Sequence, residues 1–242
     1  GASISAPNAS DFTWETVVTK NIGLDLGLLN NRLNMTADIY VRDTKDMLMA
    51  SKDLPNVYGA SSPKTNAANL RTKGWEASIS WNDSFNLKGK AFHYSVVLGL
   101  ADNTTKVTKY NNDNKTLGTP YEGQQLGEIW GYVVDGLFKT DEEAENYPVN
   151  QSYVNNILNI SVKSQGLHAG DVKYVDLDGD NIISPTLSAN DVKDQKVIGN
   201  SLPRYTYSVR LAADWNGIDF SALLQGVGRQ HWYPNGETSL FW

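Results

Sequence analysis

Residues 205–224 read YTYSVRLAADWNGIDFSALL. Tyr205, Tyr207, Val209, Leu211, Ala213 and Trp215 alternate with Thr206, Ser208, Arg210, Ala212 and Asp214. Strict period-two alternation places one set on each face of a β-strand. Asn216-Gly217 then supplies the positive φ angles that a two-residue type I′ turn requires. The chain returns through Ile218, Phe220, Ala222 and Leu224, opposed by Asp219, Ser221 and Gln225. The segment is therefore an antiparallel hairpin with one apolar and one polar face.

The same rhythm recurs upstream. Ile22, Leu24, Leu26 and Leu28 are separated by Gly23, Asp25 and Gly27. After Asn30-Asn31-Arg32 the pattern resumes with Leu33, Met35, Ala37, Ile39 and Val41, against Asn34, Thr36, Asp38, Tyr40 and Arg42. A second pair sets Trp75, Ala77, Ile79 and Trp81 beside Phe92, Tyr94, Val96, Leu98 and Leu100, joined by a turn over Asn82 to Lys90. Strands are expected near 21–43, 74–101 and 204–228, and the chain is mainly β.

Two architectures share this alternation. A soluble sandwich buries the apolar face, whereas a membrane barrel turns it to lipid and keeps the polar face toward the lumen. Several strands run to about ten residues, near the ~9–11 that cross a bilayer. Tyr40, Trp75, Trp81, Tyr205 and Trp215 stand near strand ends, where interfacial aromatics belong. Loop length decides between the two. The turns after Leu29, Trp81 and Trp215 are short, while the connections 44–73 and 102–202 are long, which is the outer-membrane pattern. Antiparallel strands forming part of a transmembrane β-barrel are therefore expected. Leu24, Leu26, Val209, Leu211, Phe220 and Ala222 should face lipid, and Asp25, Asp38, Glu76, Arg210 and Asp214 the lumen. Loops 44–73 and 102–202 should be extracellular; Asn30–Arg32 and Asn216–Gly217 should be periplasmic. The alternative is a secreted, calcium-stabilised carbohydrate-binding β-sandwich.

Composition narrows the function classes. A formal net charge of −6 with no basic cluster argues against a nucleic-acid partner. The 242 residues contain no Cys, which removes disulfides and thiolate metal sites. The N-terminal GASISAPNAS has neither the basic nor the apolar region of a signal peptide. No apolar run reaches the ~20 residues of a membrane helix. The abrupt start and the apolar Leu240-Phe241-Trp242 end lead us to expect a fragment.

The long second loop carries local signals. Thr140-Asp141-Glu142-Glu143 is a capping box that should start a short helix ending before Pro148. Val154 to Val162 suits either a helix or an edge strand. Asp176-Leu177-Asp178-Gly179-Asp180-Asn181-Ile182 sets carboxylates at alternate positions, as a calcium loop does. Asp176, Asp178, Asp180 and the Ile182 carbonyl would take positions one, three, five and seven. Position twelve falls on Leu187, which has no ligating group, so Asp191 is the candidate that completes the shell. An acidic turn without metal is the competing reading. His93, His168 and His231 have no metal-ligand spacing, and His93 falls on a strand. Trp130, Tyr132, Trp232 and Tyr233 could stack on sugars, but packing within the loop explains each as well. No nucleophile motif or phosphate loop occurs, so an enzyme is not expected.

Five stretches, in order, resemble the SusC/RagA family of TonB-linked outer-membrane transporters: Asn21 to Asp46 (NIGLDLGLLNNRLNMTADIYVRDTKD), Arg71 to Trp81 (RTKGWEASISW), Tyr121 to Phe138 (YEGQQLGEIWGYVVDGLF), Gly170 to Asn181 (GDVKYVDLDGDN) and Ile198 to Gly228 (IGNSLPRYTYSVRLAADWNGIDFSALLQGVG). The resemblance implies a barrel of about 22 strands with a plugged lumen, in the outer membrane of a Gram-negative bacterium. It implies import of an oligosaccharide or peptide, energised by TonB, beneath a SusD-like surface lipoprotein. This chain would be a middle portion of that barrel, without its plug or TonB box. Pro185 to Ser188 is an insertion relative to the family's compact Asp-rich loop.

Overall fold

Period-two alternation becomes two physical faces only when neighbouring strands keep register. The computed structural model describes residues 13–50, 64–157 and 167–233. Four long strands come first: β1 (Thr16–Leu28), β2 (Leu33–Ala50), β3 (Lys64–Leu87) and β4 (Lys90–Lys109). A segment with β5 (Glu128–Tyr132), β6 (Val134–Leu137), α1 (Asp141–Glu145), α2 (Ser152–Ile157), β7 (Val172–Tyr174) and β8 (Gln195–Asn200) follows. The chain then returns to β9 (Arg204–Trp215) and β10 (Ile218–Arg229). Of the described residues, 13–50, 64–111, 122–126 and 201–232 form one unit, and 112–121, 127–157, 167–200 and 233 belong to a second.

The first unit is a six-stranded antiparallel sheet in the order β1-β2-β3-β4-β9-β10. Its register carries the alternation across all the strands. One row joins Leu26, Met35, Ile79, Leu98, Val209 and Leu224; the next joins Leu24, Ala37, Ala77, Leu100, Tyr207 and Gly226. Their side chains share one apolar face. The opposite face has the rows Gly23, Asp38, Glu76, Ala101, Thr206, Val227 and Asp25, Thr36, Ser78, Gly99, Ser208, Gln225. Every residue expected on the lipid side lies on the first face. All five expected on the lumen side lie on the second.

Among the described residues, no apolar core covers the first face. Ile22 is 74% exposed and Phe220 59%, and Leu24, Leu26, Leu98 and Leu224 are exposed with them. A sandwich needs a second sheet against this surface. The apolar band is bounded along the strands as a membrane band is. At the loop end, Lys20, Val41 and Lys73 pair in the row beyond Trp75, followed by the Asp43–Arg71 ion pair at 2.6 Å. At the turn end, Phe85 packs on Phe92 with centroids 5.0 Å apart, and Trp81 Nε1 donates to the Tyr94 hydroxyl at 3.1 Å. The ten residue steps from Trp75 to Phe85 span about 33 Å along a strand. A tilt of ~40° brings that to about 25 Å, the height of a barrel's apolar band.

The strands run further than the alternation alone indicated. β2 continues through Ala50 and β3 begins at Lys64, so much of 44–73 is paired strand, and the link at 51–63 lies outside the described residues. β4 likewise runs to Lys109 rather than ending near 101. Backbone pairing does not need apolar side chains, so polar sequence continues the ladder beyond the apolar band. The turn expected over Asn82 to Lys90 shrinks to Lys88-Gly89, with φ of 51° and 78°. Phe85 and Leu87 resume the apolar parity after Asp83, and the Phe85–Phe92 contact holds that hairpin end. Asn216-Gly217 has φ of 50° and 82°, the expected type I′ geometry.

β4 changes partners part-way. β9 pairs with Phe92 to Ala101. Beyond Asp102 its place is taken by residues 123–126: the Val107 amide donates to the Gln124 carbonyl at 2.8 Å and the Leu126 amide to the Thr105 carbonyl at 2.9 Å. This pairing covers an edge that would otherwise be open, and it buries Val107.

The two-faced sheet makes a mutational expectation. Arg in place of Leu211, on the apolar face, should destabilise the full-length protein in a bilayer by roughly 2–4 kcal/mol. Arg in place of Ser78, on the polar face, should change little. Denaturant unfolding in lipid vesicles measures both, and equal losses at the two positions would contradict this facing.

Candidate functional site

The polar face of the sheet is lined by small side chains. Thr36, Ser78, Gly99, Ala101 and Ser208 floor a groove of about 350 Å³, with Asp38 and Glu76 at one end. A second groove of about 630 Å³ lies toward the short turns, bordered by His93, Ser95, Asp214, Asp219 and Ser221. His93, Asp214 and Asp219 share one row. The Arg32–Asp83 ion pair at 3.3 Å lines the same groove. Short side chains leave room against the wall, and the carboxylates make it a hydrophilic, mainly acidic surface.

The second unit is built differently, around a small buried core of Tyr121, Phe138, Ala144, Val154 and Ile183. β5 pairs with β8 and β6 with β7, both antiparallel. Helix α1 begins where the capping box indicated: Thr140 Oγ1 accepts from the Glu143 amide at 3.1 Å. Glu143 reaches back one residue further than a capping box does, accepting from the Lys139 amide at 2.9 Å, and also binds Lys173 at 3.1 Å. The Lys139 N–H first, then the Lys173 ammonium, hold the Glu143 carboxyl below the usual glutamate range. Ser152–Ile157 forms α2, so the helical option for that region applies there; 158–162 lies outside the described residues.

Several aromatic side chains of this unit are used internally. Trp130 Nε1 donates to Glu128 Oε1 at 2.9 Å, and the Tyr121 hydroxyl donates to the same oxygen. Burial, then the Glu128 carboxylate, pushes the Tyr121 phenol up to about 12. Tyr132 packs on Tyr174 with centroids 5.5 Å apart. Trp232 and Tyr233, in contrast, are exposed.

The Asp-rich loop folds as a turn organised by its own carboxylates. Asp176 accepts from the Gly179 amide at 2.7 Å and the Asn181 amide at 2.8 Å. Asp178 accepts from the Asp180 amide at 3.3 Å, and Asp180 from the Ile182 amide at 2.8 Å. Asn181 takes φ of 64° at the sharp bend, a conformation Asn tolerates better than most residues. Burial pushes the Asp176 carboxyl up, but the N–H groups of Asn181, Gly179 and Asp180 outweigh it and hold it below the usual aspartate range.

Among the described residues, the carboxylates that converge are Asp176, Asp178 and Asp194, whose oxygens lie within 4.8 Å of one another. Asp180 and Asp191 are outside this group. Asp191 is 77% exposed at its side chain and lies 3.7 Å from Lys193 Nζ, which also stands 3.6 Å from Asp178. Asp194 went unnoticed in the sequence because it has no regular spacing from Asp176. The fold brings it in: fully buried, it accepts from the Leu177 amide at 2.8 Å and the Ser184 amide at 2.7 Å. It therefore ties both ends of the acidic turn together.

Residues 1–240 match the family described as TonB dependent receptor-like, beta-barrel. TonB-dependent receptor P39 of Formosa agariphila is 30% identical over 244 residues, covering 88% of this chain and 22% of that protein. TonB-dependent receptor P26 of the same organism is 24% identical over 261 residues, covering 100% of this chain and 24% of that protein. The chain thus spans about a fifth to a quarter of these relatives. Among solved structures, the RagAB peptide importer in its open-open state superposes with a TM-score of 0.63 at 22% identity, over 92% of this chain and 21% of that one. A second RagAB structure gives 0.64 at 20% identity, over 92% and 22%. At that identity the likeness concerns the fold.

The loop unit carries a pH expectation. Glu143 and Asp176 are held below their unfolded values, so their stabilisation is complete above about pH 4–4.5. It is lost as pH falls through the lower folded values. Protection factors of the Lys139, Gly179 and Asn181 amides, taken relative to their intrinsic exchange rates, should fall on acidification, and Glu143→Gln should lower Lys139 protection already at neutral pH. Unchanged Lys139 protection in that variant would contradict the assignment.

Proposed function

Since the chain belongs to the TonB-dependent receptor-like β-barrel family, we propose that it forms part of the wall and a surface loop unit of an outer-membrane importer. The importer takes up oligosaccharide or peptide nutrients, is energised by TonB and works with a SusD-like surface lipoprotein. It is a transporter and not an enzyme. The observation that carries this reading is the six-stranded sheet whose apolar face is uncovered while its other face is polar and grooved. Lipid on one side and a hydrophilic lumen on the other satisfy both faces.

The short turns, at 29–32, 88–89 and 216–217, lie at one end of the sheet, and the long insertion between β4 and β9 leaves from the other. In this reading the turns are periplasmic and the loop unit extracellular, where it meets cargo and the lipoprotein. The peptide importer among the solved structures shares the fold alone, so oligosaccharide and peptide both remain candidate cargoes. The bacterium lacking the parent gene should lose growth on the cognate nutrient, oligosaccharide or peptide, supplied as sole source. The lipoprotein should co-purify with the parent. Normal growth on every polymeric nutrient tested would overturn the import reading.

The Asp-rich loop adds a structural calcium site to this proposal. Asp176, Asp178 and Asp194 present hard oxygen donors, and their bound N–H groups leave further lone pairs on each carboxylate. Calcium prefers six to eight such oxygens, so carbonyls and water would complete the shell. Its role would be to fix the loop. Sites of this kind in extracellular modules bind with dissociation constants of roughly 10⁻⁴–10⁻³ M. Calorimetric titration of the full-length protein should give saturable heat at millimolar calcium, lost in Asp178→Ala. Equal heats in both proteins, or none in the wild type, would rule the site out.

A further inference from the structure

We propose that the seam between β4 and β9 carries its own register lock, made of the Asp102–Arg204 ion pair on one side and the Gly99–Ser208 contact on the other. Topology creates the need. β1–β2, β3–β4 and β9–β10 are joined by short turns, and turn length fixes hairpin register. β4 and β9 are joined through residues 110–203, a connection too long to set their register as a tight turn does. Alternation of apolar and polar side chains rejects a slip of one residue, because it exchanges the two faces. It does not reject a slip of two, which restores the same facing. Something specific to one pairing must reject it.

Two contacts have that property. The Arg204 guanidinium binds both oxygens of Asp102, Nε to one and Nη2 to the other, and the Tyr205 amide donates to Asp102 Oδ1 at 3.3 Å. Asp102 is buried, at 8% exposure. A slip of two residues moves the partner strand by about 6.6 Å and leaves a buried carboxylate without its counter-ion, a strongly unfavourable state. On the polar face, Ser208 lies opposite Gly99, and a Cβ added at Gly99 would stand 2.8 Å from Ser208 Oγ. Ser208 occupies space that exists only because position 99 has no side chain. Slipped by two, it would meet Val97 or Ala101. Buried ion pairs are best attested as devices for register. This role concerns strand pairing and stands independently of the importer reading.

Paired cysteines in the full-length protein report register directly. Ser95→Cys with Ala212→Cys reads the native pairing; Ser95→Cys with Arg210→Cys or Asp214→Cys reads the slips of two. In the otherwise native background only the first pair should form a disulfide. Asp102→Ala should lower the native-register disulfide about tenfold, the scale of losing one strong charge-assisted contact, with a slipped pair appearing. Gly99→Thr should act in the same direction. If Asp102→Ala prevents assembly, the exchanged pair Asp102→Arg with Arg204→Asp decides: recovery of the native disulfide supports the lock and failure to recover overturns it. An unchanged native disulfide in assembled Asp102→Ala also overturns it.

Discussion

The structure depends on one constraint: a strand crossing hydrocarbon must pair every backbone N–H and C=O with its neighbours. The sheet meets this by continuous antiparallel ladders whose rows pass unbroken from β1 to β10. Once the ladders are in register, side-chain parity does the rest, and the two faces separate without a conventional core. The ladders also explain why strands extend past the apolar band, through residues 44–50 and into the polar sequence at 64–73. Backbone pairing is indifferent to the side chains it carries.

The two units use apolar residues in opposite ways. In the sheet they point outward, and Ile22 and Phe220 are among its most exposed side chains. In the loop unit, Phe138 and Ile183 are almost completely buried and hold short, irregular elements together. Ordinary folding energetics apply there: a small core, two short helices, and polar atoms satisfied locally by Gln151, Thr186 and Asp194. A long insertion with its own core and hydrogen bonds need not draw on the barrel for its stability. Within the sheet unit, β4 hands over from β9 to residues 123–126, with Asp102 between the two.

The Asp-rich turn shows how far a local motif can be trusted. Alternating carboxylates at 176, 178 and 180 were legible because each governs amides two to five residues away. The identity of the third converging carboxylate was not. Asp191 was the natural choice by sequence distance, yet it points to solvent beside Lys193, whereas Asp194 is buried and reaches back to Leu177 and Ser184. Closing a turn on itself depends on where the chain returns, and that is a tertiary event.

The sequence by itself determined the strand faces, the Asn216-Gly217 turn, the Thr140 helix start and the resemblance to the family. The first three are governed by neighbours within a few residues, and the resemblance by five such stretches in order. The sorting of Leu24, Val209 and Phe220 from Asp38, Glu76 and Asp214 needed only the period of two that the pleat imposes. Tertiary structure alone decided that β9 pairs with β4, how far each strand extends, that the 82–90 turn shrinks to Lys88-Gly89, and that Arg204 and Asp194 find their partners. The Asp102–Arg204 pair joins residues 102 positions apart, and the β4–β9 ladder joins residues further apart still, as at Phe92 and Trp215. Nothing in local periodicity encodes them, because their free energy appears only after the intervening chain has been looped out and the partner strands have met.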